Sequence, residues 1–359
     1  MKQVRHFLSS KDYLVFRLTG CFSMDYASAT ATLMFDVKKK AWSNTLSVLA
    51  GLADDVLPPL FDPTEVVGRI SRESADFFGL PEGVPVISGT LDSAAEMLGC
   101  GILNPGELGM VRLGSAGGIM VVTERPACNK GIITYPHVVD GVFYKQAGTN
   151  ACATSLKWIR KLCMNMRGND APELTYEKLD QIAAEARPGS DGLMFHPYIQ
   201  GERSPWWNSE LRGSFTGIDY RHDWPQFVRA VMEGVAFSLL DCLNMFRHDG
   251  YDMKAGIMSG GVVKSPLWSQ IITDVLGMET GTVCNGDSAL GACMLAATSA
   301  GLFSSVNEAV SICLRKERVM LPDHANHELY GRMFLRYRET GSFFDAMQRK
   351  QIADSVRVQ

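Results

Sequence analysis

Apolar residues in this chain gather in short runs that end in glycine, and longer stretches with helical spacing lie between them. The run at 84–87 is closed by Ser88-Gly89 and predicts a buried strand leaving the core. The run at 108–113 predicts a second strand, which opens into Gly114-Ser115-Ala116-Gly117-Gly118. Between them, Asp92 precedes a small-residue helix at 93–98 closed by Gly99 and Gly101. Further strands are expected at 143–147, 192–198 and 257–258, and each leaves through a glycine-containing or polar loop. The first of these continues through Gly148-Thr149-Asn150 into a helix at 151–162. The longest helix starts at the cap Asp223, with Pro225 in its first turn. Phe227, Val228, Val231, Val235, Leu239, Leu243 and Phe246 mark its buried face. Shorter helices are expected at 11–18, 42–50, 70–78, 266–276 and 289–300. Strands alternating with helices, with loops at the strand exits, describe an α/β chain.

Length and composition narrow the picture. A chain of 359 residues is long for one core and suggests two domains. The 35 basic and 39 acidic residues leave a net charge of −4 with no long basic run, which argues against nucleic acid or an anionic membrane as partner. The opening MKQVRHFLSS lacks a signal-peptide core, and the apolar helix at 289–300 is too short to span a bilayer, so a cytoplasmic protein is expected. Nine scattered cysteines without C-x-x-C, Cys128, Cys242 and Cys293 among them, read as buried thiols rather than disulfides or a zinc site. Trp158, Trp224 and Trp268 fall on apolar helix faces and read as core.

Asp92 and the loop at 114–118 are the candidate chemistry. Phosphoryl transfer needs a base for the acceptor hydroxyl and backbone N–H groups that approach phosphate closely. Taken alone, Asp92 reads first as a helix cap and 114–118 as a tight turn. A dinucleotide-binding reading fails, because no G-x-G-x-x-G follows the first strand.

Four further blocks change the weighting. The segment 213–234, GSFTGIDYRHDWPQFVRAVMEG, is similar to the second signature of the FGGY carbohydrate kinases, in Gly213, Phe215, Gly217-Ile218, Gln226-Phe227 and Glu233-Gly234. HPYIQGERSP at 196–205, SGGVVKSPLW at 259–268 and ALGACMLAA at 289–297 resemble other blocks of that family in the same order. The resemblance, with xylulokinase-like members in particular, runs from KDYLVFRLTG at 11–20 to about Gly301. It implies an actin-like (ribonuclease H-like) two-domain ATPase fold that uses ATP and Mg²⁺ to phosphorylate a small-molecule sugar. D-xylulose is the favoured substrate among small ketoses and polyols. Asp92 then matches the catalytic base, and Gly114, Ser115, Ala116 and Gly117 match the phosphate loop, with Ala116 lacking a hydroxyl the family usually has. Gly260, Gly261 and Lys264 match the loop beside the adenosine, and Asn150 is expected to line the same cleft. Lys264 reads equally well as a solvated lysine at a helix start.

The resemblance also implies domains at 1–104, for the sugar, and 105–325, for ATP, with a helical segment at 326–359 packing back on the first. It breaks at the beginning. The family's opening hairpin with Asp-x-Gly-Thr-type residues and its early aromatic-basic sugar segment do not occur here. The first domain is therefore expected to be incomplete, with the missing N-terminal segment or a second chain as partner, and a homodimer as a further expectation. Residues 1–359 alone are expected to self-associate and to release no ADP in response to sugar. A catalytically inactive truncated or split-enzyme subunit on the same fold stays open as the alternative.

Overall fold

The computed structural model describes residues 5–52, 56–126, 130–167 and 173–357. The first part is a thin unit of short helices and paired strands. α1 (Ser10–Thr19) begins at a capping box in which Ser9 Oγ accepts from the Asp12 N–H and the Asp12 carboxylate accepts from the Ser9 N–H. There follow β1 (Met24–Asp25), α2 (Tyr26–Ala31), β2 (Phe35–Asp36), β3 (Ala41–Trp42), α3 (Asn44–Leu49), β4 (Leu60–Phe61), β5 (Val66–Arg69), α4 (Arg72–Phe78) and β6 (Pro85–Ile87). The helix expected at 42–50 shortens to α3, because Ala41 and Trp42 pair with Asp36 and Phe35 as a hairpin. The buried strand expected at 84–87 is instead β6, one half of a two-stranded ribbon with β5, and Val84 beside it is 40% exposed. A ribbon of two strands cannot bury both of its faces.

The second part carries the main sheet. Its elements are α5 (Asp92–Gly99), β7 (Leu108–Leu113), β8 (Gly117–Thr123), β9 (Ile133–Pro136), β10 (Phe143–Thr149), α6 (Ala153–Arg167) and α7 (Tyr176–Glu185). They continue as β11 (Met194–His196), β12 (Ser214–Thr216), α8 (Trp224–His248), β13 (Ala255–Ser259), α9 (Pro266–Leu276) and β14 (Glu279–Val283). α10 (Ser288–Ser299), α11 (Val306–Cys313), β15 (Lys316–Met320) and α12 (His324–Arg357) close the chain. Seven strands form one sheet in the order β15-β14-β13-β7-β8-β10-β9, with β14, β13 and β7 parallel and the other neighbours antiparallel.

Alternate residues of the central strands face opposite layers. Val111, Leu113, Ile119 and Val121 join the cluster made with α6, α8 and α9. Met110, Met120, Val122 and Ile257 join the cluster made with α5, α10 and α11. Covered on both faces, these strands read as continuous apolar runs. Trp268 is buried as expected, whereas Trp158 is 36% exposed. Cys100, Cys152 and Cys242 are buried, but Cys293 is exposed. α10 is apolar or small all round, so its pattern could not say which side meets the sheet. Cys128 lies outside the described residues.

The C-terminal helix corrects another expectation. α12 packs on the second unit rather than back on residues 1–104. The Tyr337 carbonyl accepts from His196 (3.0 Å), Arg338 pairs with Asp241 of α8 (2.7 Å) and Asp345 accepts from Asn208 (2.7 Å). Its aromatic residues Tyr330, Phe334 and Tyr337 fill space against Phe237, which a solvated helix could not do.

α5 and α10 are in close contact, and two small residues permit it. A Cβ on Gly291 would run into the carbonyl of Ala95, and one on Gly99 into the backbone of Asp287. Gly291→Ala should therefore push the helices apart and lower stability by about 1–3 kcal/mol, the range for overpacking a filled interior. Chemical denaturation of the variant beside the parent checks this, and an unchanged midpoint would mean that the helices can separate freely.

Candidate active site

Parallel pairing of β7 with β13 sets Arg112 opposite Ser259, so the chain leaves both strands at the same end of the sheet. The two loops that follow touch. Gly260 has φ of 106°, and a Cβ there would lie 2.5 Å from the Leu113 carbonyl oxygen. A residue with a side chain could take neither that backbone conformation nor that approach without strain. Here a cavity of about 760 Å³ opens, walled by Arg112, Gly114, Gly260, Gly261 and Lys264 and by Gly286, Asp287 and Ser288 at the start of α10.

The expected phosphate loop is gripped from behind. Ala153 N–H donates to the Gly114 carbonyl (3.0 Å), and Cys152 N–H and Thr154 Oγ1 donate to the Ser115 carbonyl (both 2.9 Å). Gly114 stands on the cavity wall, and Ser115 and Ala116 form the more open tip of the turn. Gly117 is already in β8, buried opposite Leu113 and Thr149. Asn150 does not line this cavity. Its N–H donates to Glu202 (2.9 Å) and its amide to the carbonyls of Gln200 and Gly201, so it belongs to the scaffold behind the loop.

Asp92 is the first residue of α5 and Leu91 takes the cap position; Asp92 Oδ1 accepts from the Ser93 N–H at 2.7 Å. Its side chain is 69% exposed and stands beside the cavity, one guanidinium away. Arg112 Nη2 donates to Asp92 Oδ2 (3.1 Å) and Arg112 Nε lies 2.8 Å from Glu96 Oε2. Ser259 Oγ in turn lies 2.7 Å from Glu96 Oε1, so a polar chain joins Asp92 to the residue before Gly260. The link leading into α5 is pinned as well. Lys11 Nζ donates to the Ser88 carbonyl (2.7 Å) and pairs with buried Asp25 (3.2 Å), and Thr90 Oγ1 donates to the same aspartate (3.0 Å).

Arg112, Glu96, Ser259 and Glu202 were not singled out from the sequence. Arg112 left a signal, as the one charged residue in the apolar run 108–113. Glu202 sits in the block at 196–205 that carries part of the family resemblance. It is buried and accepts from Thr149 Oγ1 (2.6 Å), Asn150 N–H (2.9 Å) and Arg203 N–H (2.7 Å). Burial pushes its carboxyl up to about 7, against these hydrogen bonds.

A folded-state value above the ordinary 4.5 means that the folded chain binds this proton more tightly than the unfolded chain does. Its stabilising contribution is full below about 4.5 and is lost as pH rises through about 7. Buried His137 and His196, both lowered to about 4 by burial, act in the opposite sense. Subtracting the thermal midpoint of Glu202→Gln from that of the parent cancels the histidines. The difference is expected to fall between pH 4.5 and 8, and a flat difference would show that Glu202 keeps an ordinary affinity for its proton.

Comparison with known proteins agrees with this architecture. The chain is 33% identical to the xylulose kinase of Bacillus subtilis (strain 168) over 341 residues, covering 94% of this chain and 66% of that protein. It is 31% identical to the gluconokinase of the same organism over 310 residues, covering 84% of this chain and 60% of that protein. The chain therefore spans about two thirds of the length of these curated relatives. The fold matches the ligand-bound xylulose kinase from Lactobacillus acidophilus with a TM-score of 0.88 at 24% identity, over 96% of this chain and 69% of that one. Residues 1–99 match the N-terminal domain of the FGGY family of carbohydrate kinases and residues 109–300 match its C-terminal domain. With the blocks at 196–205, 213–234, 259–268 and 289–297 falling in the second of these matches, the chain belongs to the FGGY family of carbohydrate kinases.

Proposed function

We propose that this chain serves an ATP-dependent sugar kinase that transfers the γ-phosphate to a hydroxyl of a small ketose or polyol, with D-xylulose favoured. The observation that carries the reading is Asp92, an exposed carboxylate held at the edge of a cavity that two abutting glycine loops enclose. In that reading, Gly114 to Ala116 and Gly260-Gly261 offer backbone to the nucleotide, and Lys264 adds a cation on the same wall. The acceptor oxygen bonds to the γ-phosphorus as the bond to the ADP oxygen breaks, and the hydroxyl proton passes to Asp92. A loose transition state releases that proton late, so a carboxylate is base enough.

Among the described residues, no group of three or more His, Cys, Asp or Glu is arranged to hold a metal ion. The described residues thus offer no ready-made cage for Mg²⁺. Mg²⁺ commonly arrives on substrate phosphates with its waters, which asks little of the protein. Support for D-xylulose comes from the xylulose kinase relatives, and the gluconokinase similarity makes gluconate the competing substrate.

A second reading, a non-catalytic partner subunit, draws on the first unit, where Leu33, Leu49 and Phe77 are exposed by more than 70%. Such side chains suit contact with another protein surface. A coupled assay of ADP release over D-xylulose, ribulose, glycerol and gluconate separates the readings. Among any sugars that do release ADP, D-xylulose is expected to give the highest kcat/KM. Release with gluconate alone would reassign the substrate. Nucleotide binding without release for any sugar would favour the second reading.

Asp92→Asn keeps the side-chain oxygen that meets Ser93 but removes the basicity. In an enzyme form that turns over sugar, it should lower kcat by about 10²–10⁴-fold, the usual worth of a general base, with little change in KM for ATP. Near-parental turnover would leave Asp92 as a helix-start residue and nothing more.

A further inference from the structure

We infer that Arg112 is a phosphate-contacting residue that ties the γ-phosphate of the nucleotide to Asp92; this deepens the reading just proposed and rests on it. Arg112 ends a row of apolar strand positions two residues before Gly114, where an ionised side chain needs a reason to be. Its side chain lines the cavity and is 31% exposed. Nε faces Glu96 and Nη2 faces Asp92, while Nη1 has no protein partner among the described residues. Five N–H donors in a planar fork suit a carboxylate on one edge and a phosphate on another.

Charge points the same way. Asp92 and Glu96 lie one turn apart on α5, beside a cavity in which the proposed ligand carries several negative charges. Without Arg112, two carboxylates would repel that ligand at the place where the base must approach it. A single guanidinium that binds both the base and the phosphoryl group also fixes the distance between them, which in-line transfer requires. Glu96, only 10% exposed and anchored by Ser259, sets the guanidinium rather than the ligand. Lys264 is on the far loop and Arg318 on β15, so neither can take this bridging place next to Asp92.

A purely structural clamp would hold α5 to β7 and would treat all nucleotides alike. A contact to the γ-phosphate discriminates between tri- and diphosphate. Calorimetric titration with a non-hydrolysable ATP analogue and with ADP therefore decides. In Arg112→Ala, analogue affinity is expected to fall about tenfold, the worth of one charge-assisted hydrogen bond, while ADP affinity changes by less than about twofold. The same selective loss is expected on an Asp92→Asn background, because the contact is to the ligand and not exercised through Asp92. Removing the arginine leaves Glu96 unpaired, so the pair Glu96→Gln with Arg112→Ala provides a folded version, checked by circular dichroism, with the same expected result. Equal losses for both nucleotides, or no loss, would overturn the assignment and leave the proposed function standing. A parent protein that binds neither nucleotide would overturn both.

Discussion

The parallel pairing of β7 with β13 is the constraint on which the site depends. Parallel neighbours leave a sheet at the same end, so the loops at 114–116 and 260–264 are delivered to one place without any contact between them in sequence. The register fixes how closely they meet, and Gly260 against Leu113 is the consequence. A slip of either strand by one residue would turn Arg112 or Ser259 to the opposite layer and would dissolve the polar chain that reaches Asp92.

That pairing would mean little without support behind it. The loop after β7 has its carbonyls taken by the first turn of α6, and the chain entering α6 is held by Glu202. Glu202 sits in the loop between β11 and β12, so residues scattered over 114–203 act as one support. Buried carboxylates such as Glu202 and Asp241, the latter raised to about 6 by burial, are costly unless their hydrogen bonds are fixed. α12, through Arg338 and its aromatic row, closes the layer that fixes Asp241.

Asp92 belongs to both units. Its helix lies in the main sheet's α5–α10 layer, yet the link before it is pinned by Lys11, Asp25 and Thr90 of the first unit.

Much of this was legible in the residues themselves. Local signals act over a few positions, so the glycine-closed runs at 108–113 and 257–258, the cap at Asp223 and the small-residue helices at 93–98 and 289–300 announced their elements. The family blocks then ordered them into an α/β kinase fold. What the sequence could not supply was anything decided by side chains far apart along the chain. Only the folded sheet puts Arg112 between Asp92 and Glu96, or moves Asn150 off the cavity and onto Glu202. Only packing exposes Cys293 on a helix apolar all round, and seats the last helix on α8 rather than on the first unit. Periodicity reports which residues share a face, whereas the choice of partner for that face is made by shape and charge in three dimensions.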